Sequence, residues 1–106
     1  MTPQYDDTTL MDEILKALAN PLRCQILAWL RDPRQHFPHQ VHDTGVGVCA
    51  GQIEARAGLS QSTVSAHLAV LTRAGLVNTR RVGQWVFYQR DEAAIQAFLQ
   101  RLAREL

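Results

Sequence analysis

The sequence predicts a mainly helical α+β domain that carries one small β-hairpin near its C-terminal end. Two observations point there. Apolar residues recur at helical spacing through five stretches, and after Gly75 the period shortens to two before a last helix begins. A third observation sets the scale: 106 residues, 46% of them hydrophobic, suffice for one core and not for two, so residues 1–106 read as a single domain.

The first helix is expected to start after Asp7 or Thr8, either of which can cap it, and carries Leu10, Met11, Ile14, Leu15 and Leu18 at helical spacing. Asn20 and Pro21 end it and open a second helix. Pro21 suits a first-turn position, and Leu22, Ile26, Leu27 and Leu30 carry the apolar stripe until Asp32 and Pro33 stop it. Cys24 lies inside that helix, where a small buried residue is the default. From Asp32 to Val48 two prolines, two glycines and three histidines occur without periodicity, so residues 32–48 read as a long surface loop.

A helix-turn-helix is expected over residues 50–74. Its first helix begins at Cys49 or Ala50, turns Ile53 and Ala57 inward and ends at Gly58. Ser60 then caps a helix from Gln61 to Ala74 with Val64, Leu68 and Leu71 buried. The front of that helix is unusual, because Gln61, Ser62, Thr63, Ser65, Ala66 and His67 are short or polar instead of the Glu/Lys mixture of a solvated face. Short side chains let a helix lie close to base edges and phosphates, and its N-terminal dipole favours an anion. His67 fits either such a contact or helix packing.

Residues 76–89 read as a wing. One strand runs from Leu76 to Val82, Gly83 and Gln84 turn it, and Trp85 to Gln89 returns. Asp91 caps a last helix whose Ile95, Phe98, Leu99 and Leu102 form an apolar face requiring a partner, either the first helix or a second subunit.

Charge sharpens the functional reading. The net charge is only +1, yet no acid falls between Ala55 and Arg90, an interval holding Arg56, Arg73, Arg80, Arg81 and Arg90. Such a block suits a polyanion. No apolar stretch is long enough to span a membrane, and the first residues are acidic and polar, so a cytoplasmic location is expected. No Gly-rich phosphate loop, nucleophile elbow or HExxH occurs, which argues against an enzyme. A docking module is a better rival, with Trp85, Phe87 and Tyr88 as its anchors, although strand alternation should split them between core and surface.

This order of elements is that of a winged helix-turn-helix. The stretch GLSQSTVSAHLAVLTRAGLVNTRRVGQWVFYQ from Gly58 to Gln89 resembles the ArsR/SmtB family of bacterial repressors, as does LKALANPLRCQILAWL from Leu15 to Leu30. The resemblance implies a homodimer packed through first and last helices, bound to double-stranded DNA at a palindromic operator. It places Gln61, Ser62, Thr63, Ser65 and His67 on bases and phosphates, and Arg80, Arg81 and Gln84 on the wing's contacts. Arg73, in the last helical turn, suits a phosphate.

Family members are commonly released from DNA by metals, metalloids or thiol oxidation. Cys49 matches the first ligand of the family's metal site on the helix before the recognition helix, but Gly51 stands where an arsenic sensor has its second thiolate and Gln52 where an acid often follows. Between Asp91 and Leu106 there is no histidine or cysteine, so the family's terminal-helix zinc site lacks ligands. Two inducible chemistries remain open beside an organic effector. Cys49 with His36, His39 and His42 offers a donor set for a transition metal, or Cys49, with Cys24 as a second thiol, serves as a redox switch.

Overall fold

The computed structural model describes residues 7–106. Helix α1 (Asp7–Leu18) already contains Asp7 and Thr8, so neither is its cap, and what precedes them lies outside the described residues. Asn20 makes the first corner as expected. Its Oδ1 accepts from the backbone N–H groups of Leu22 at 2.9 Å and Arg23 at 3.1 Å, starting α2 (Pro21–Arg31) with proline in the first turn.

The stretch expected to be a loop is largely organised. A short helix α3 (Pro33–His36) follows α2, a 3-10 turn spans Thr44–Val46, and Val48–Cys49 form a strand, β1. Phe37, between these pieces, is buried in the core. Helix α4 (Ala50–Ala57) ends at left-handed Gly58, and α5 (Gln61–Arg73) is capped by Ser60, whose Oγ accepts from Thr63 N–H at 3.3 Å. Strands β2 (Val77–Val82) and β3 (Trp85–Arg90) form the wing. Helix α6 (Glu92–Glu105) closes the chain, with Asp91 Oδ1 accepting from Ala94 N–H at 2.9 Å.

The sheet has three strands in the order β1-β3-β2, both pairings antiparallel. The third strand is an addition to the expected hairpin. Val48 pairs with Tyr88 and Cys49 with Phe87, and Val82 faces Trp85 across a two-residue turn. In that turn only Gly83 has positive φ, at 60°, which is the φ pattern of a type II′ hairpin with glycine first.

The two faces of this sheet have different covers. Val48 and Val77 point into the core with Tyr88 packed beside them, against Ile26, Leu30, Ile53, Val64, Leu68 and Leu71 of the helices. Residues opposite one another in a ladder share a face, so Cys49, Phe87 and Arg80 lie together on the outer side. There the 40–47 segment folds over Phe87 and leaves it 2% exposed. The approach is close enough that a Cβ on Gly47, at φ 107°, would stand 2.8 Å from Tyr88 O and 3.2 Å from Phe87 Cβ. Only glycine fits there.

Candidate nucleic-acid interface

The front of α5 is open. Gln61, Ser62, Thr63, Ser65 and Ala66 are exposed, while Val64, Leu68 and Leu71 on the opposite side are buried. The hydroxyls form a local network, with Ser60 Oγ 2.9 Å from Thr63 Oγ1 and 3.3 Å from Ser62 Oγ. Gln61 and Ser65 have no side-chain hydrogen bond among the described residues, so their donors and acceptors are directed to solvent. A helix end with free N–H groups, short side chains and no acid in its first turn accommodates a polyanion at close range.

His67 is only partly exposed, and its Nδ1 lies 3.2 Å from Arg23 Nη1. Packing claims one of its ring nitrogens, which leaves Nε2 for any contact outside the chain. Arg73 is exposed at the end of α5. Arg80, Arg81 and Gln84 are all exposed on the wing, and among the described residues none of the three side chains has a hydrogen-bond or ion-pair partner. Val82 and Trp85 beside them are 46% and 45% exposed. The three wing aromatics are divided: Phe87 is buried, Tyr88 half-buried and Trp85 exposed, because the wing tip projects past the segment that covers Phe87.

Two arginines of the acid-free block serve the fold instead. Arg90 makes a bidentate pair with Glu92, at 2.7 and 3.2 Å, and donates to Leu27 O at 3.2 Å. Arg56 stacks 5.1 Å from the Trp29 ring centroid, donates to His36 O at 3.2 Å and lies 3.1 Å from His36 Nδ1. Arg90-Asp91-Glu92 carried a local sign of its pairing in the sequence. Arg56 carried none, since its partners lie about two helices upstream.

The set of Cys49 with His36, His39 and His42 is not brought together. His36 is held by Arg56, His39 is exposed on its loop, and His42 packs its ring 5.1 Å from Trp85 and 5.3 Å from Phe87. Among the described residues no three His, Cys, Asp or Glu side chains are grouped to hold a metal ion. The irregular spacing that resembled a flexible donor loop belongs to a folded cover for the sheet.

Both cysteines are free thiols. Cys24 is exposed, contrary to the buried default, and its Sγ donates to Leu18 O at 3.1 Å. It falls on the outer row Cys24, Ala28, Arg31 of α2, opposite Ile26, Leu27 and Leu30. Cys49 is half-buried at a junction: it is the last residue of β1, paired with Phe87 of the wing, and also the N-cap residue of α4. Gln40, which the sequence did not single out, holds this junction. Its Oε1 accepts from Cys49 N–H at 3.0 Å, and its Nε2 donates to His42 O at 3.1 Å and Gly47 O at 3.0 Å.

Comparison with known proteins decides the family. A model described as a helix-turn-helix domain matches residues 18–80. An uncharacterised HTH-type transcriptional regulator of Bacillus subtilis, YbzH, is 44% identical over 89% of this chain and 96% of its own. A putative arsenical resistance operon repressor, ArsR2 of Halobacterium salinarum, is 34% identical over 76% of this chain and 58% of its own. The chain belongs to the ArsR family of winged helix-turn-helix transcriptional regulators. The transcriptional activator HlyU of Vibrio cholerae is 40% identical over 86% of this chain and 72% of its own. A solved HlyU structure covers 95% of this chain and 96% of that one, with TM-score 0.62 and 34% identity. The homodimeric winged helix-turn-helix DNA-binding domain Mb0332 of Mycobacterium bovis covers 99% of this chain and 92% of its own, at 30% identity and TM-score 0.62. This ArsR-family chain is thus a DNA-binding transcriptional regulator, and among its described residues no helix is long and apolar enough to cross a membrane.

Proposed function

We propose that this regulator is a cytoplasmic homodimeric repressor that sets one α5 and one wing per protomer on each half of a palindromic operator. One observation carries the DNA-contact assignment: the acid-free front of α5 and the unpartnered Arg80, Arg81 and Gln84 are all solvent-exposed. Gln61, Ser62, Thr63 and Ser65 read base edges and adjoining phosphates, His67 offers Nε2, and Arg73, Arg80, Arg81 and Gln84 hold the backbone. Dimer symmetry spaces the half-sites by one or more DNA turns.

The homodimeric state of the Mycobacterium bovis relative supports the dimer, as do Leu10 and Leu15 on α1 and Leu99 on α6, each more than 40% exposed. Bound across a promoter, such a dimer excludes polymerase. Release follows modification of the Cys49 thiol, a reading favoured by its position between the wing strand and the start of the helix-turn-helix. Selection of duplexes from a random pool by the purified reduced protein tests the whole. A two-fold symmetric consensus is expected, and recovery of no preferred sequence overturns the operator reading.

A further inference from the structure

Away from the front of α5, the chain gathers cations from three helices around one cavity. Lys16 of α1, Arg23 of α2 and Arg73 of α5 line a recess of about 180 Å³ whose floor includes Ala17 and Ala74, both buried. One carboxylate, Glu13, also lines it. No ion pair joins Glu13 to any of the three cations among the described residues, and Lys16 and Arg73 have no side-chain partner there.

Lysine and arginine are common at helix C-termini, where they satisfy the dipole, and Lys16 and Arg73 occupy the last turns of α1 and α5. Here that explanation is already used up by other groups. At the end of α1, Arg23 Nη2 donates to Lys16 O at 3.1 Å, Arg23 Nε to Ala17 O at 2.6 Å, and Cys24 Sγ to Leu18 O. At the end of α5, Gly75 N–H donates to Thr72 O and Leu76 N–H to Leu71 O, each at 3.0 Å, closing a Schellman turn. These hydrogen bonds satisfy most of the terminal carbonyls that Lys16 or Arg73 could otherwise reach. Three cations against one carboxylate then leave a net positive recess whose walls are rigid helix ends.

We propose that this cavity binds a phosphate group. Arg23 is anchored by its backbone contacts and by His67 with two of its five N–H groups unspent, and the exposed Lys16 and Arg73 add charge from two further helices. In the first source of that chemistry the group is a DNA backbone phosphate beyond the stretch read by α5, an arm that rests on the DNA-binding reading above. In the second it is a free phosphate, and the same cavity is an anion site of the regulator.

The test pairs Lys16→Gln with Glu13→Gln, changes of opposite sign at the cavity that touch none of the residues assigned above to DNA. Circular dichroism checks that both fold. Affinity for a selected duplex is measured across a salt series, and inorganic phosphate is titrated into isotope-labelled protein at constant ionic strength while the amides of Ala17 and Ala74 are followed. If DNA supplies the phosphate, the log–log salt slope of Lys16→Gln is shallower by about one for each protomer engaged, and Glu13→Gln binds more tightly. If the source is free phosphate, the slopes coincide, but phosphate shifts the two amides in wild type and only at markedly higher concentration in Lys16→Gln. Coincident slopes with no phosphate-dependent shift overturn the proposal. Should the wild type bind no duplex at all, the DNA reading fails while the phosphate titration still decides the cavity.

Discussion

Arg23 Nη1 stands 3.2 Å from His67 Nδ1, and this contact joins the helix that follows α1 to the helix that presents the DNA-facing residues. An arginine only donates, so Nδ1 accepts and the proton of the neutral ring sits on Nε2. Because the same guanidinium also holds Lys16 O and Ala17 O, it fixes the end of α1, the start of α2 and the middle of α5 against one another. Arg23→Ala removes all three hydrogen bonds and is expected to cost about 2 to 3 kcal/mol. His67→Ala should cost about 1 kcal/mol. Urea unfolding of both single variants and the double variant checks this: the pair should be non-additive, since each single change already breaks the shared contact. Additive losses would mean that the two side chains act independently.

Arg81 extends from the wing without a partner, so its charge is available to a phosphate at little structural cost. Arg81→Ala is expected to weaken binding to all duplexes alike and to lower the salt slope by about 1 for each protomer engaged. Gln61→Ala should instead cost about 1 to 3 kcal/mol at particular base pairs and leave the slope unchanged. Fluorescence anisotropy on the selected operator and on single-base variants separates the two. Thr63→Ala is less clean, because Thr63 Oγ1 also bonds to the capping Ser60.

Gln40 makes three of the hydrogen bonds that close the 40–47 segment over the sheet, and Gln89 Nε2 adds one to Gly45 O at 3.1 Å. Replacing Gln40 with Ala leaves Cys49 N–H, His42 O and Gly47 O without this partner, at an expected cost of about 1 to 3 kcal/mol. The loss should be local before it is global. In a Trp29→Phe background, Trp85 emission should change as His42 leaves its ring, and the Cys49 amide should exchange faster. Unaltered emission and exchange would show that Gln89, Phe87 and Gly47 hold the cover without Gln40.

Those long-range contacts explain which parts of the molecule were legible in the sequence. Each of the five longer helices declares itself within a few residues: Asn20, Ser60 and Asp91 as caps, Gly58 and Gly75 as stops, and Val64, Leu68 and Leu71 at period. The segment from Pro33 to Val48 carries no such local signal. Its conformation is set by Phe37 in the core, by His42 against Trp85 and Phe87, and by a glycine pressed on Tyr88 O, partners that are remote in sequence. A two-residue strand such as β1 is too short to show alternation. The same distinction runs through the site. The exposed front of α5 and the wing arginines were readable from composition, whereas the recruitment of Arg56 and His67 into packing depends on residues 20 and 44 positions away. Cys24 is the exception, since helical period already set it opposite the buried stripe.

Cys49 lies where a small chemical change reaches two elements at once. Oxidation to the sulfenic acid adds a polar oxygen on the outer face beside Phe87 and at the start of α4. Mild oxidation with peroxide is expected to weaken operator binding at least several-fold, with Cys49→Ser insensitive and Cys24→Ser still responsive. Anisotropy before and after oxidation, with recovery on adding a thiol reductant, is the check. If Cys24→Ser alone abolishes the response, the exposed thiol on α2 is the sensor instead.

Leu99 tests the dimer most directly. Its neighbours in the apolar stripe of α6 are already used, with Phe98 buried and Ile95 and Leu102 packed on the chain's own core, while Leu99 remains 47% exposed. Leu10 and Leu15 on α1 are exposed to a similar degree. Leu99→Glu therefore disturbs little within the protomer but sets a charge in any interface built from α1 and α6, where an unpaired buried carboxylate costs several kcal/mol, on the order of 2 to 5. Sedimentation velocity should show dimers for wild type and monomers for the variant at micromolar concentration. Circular dichroism should show the same helix content in both. Operator affinity should fall to that of one half-site while binding to isolated half-site duplexes persists. A variant that stays dimeric with full operator affinity would place the interface on another surface, and Leu10 and Leu15 would be the next residues to exclude.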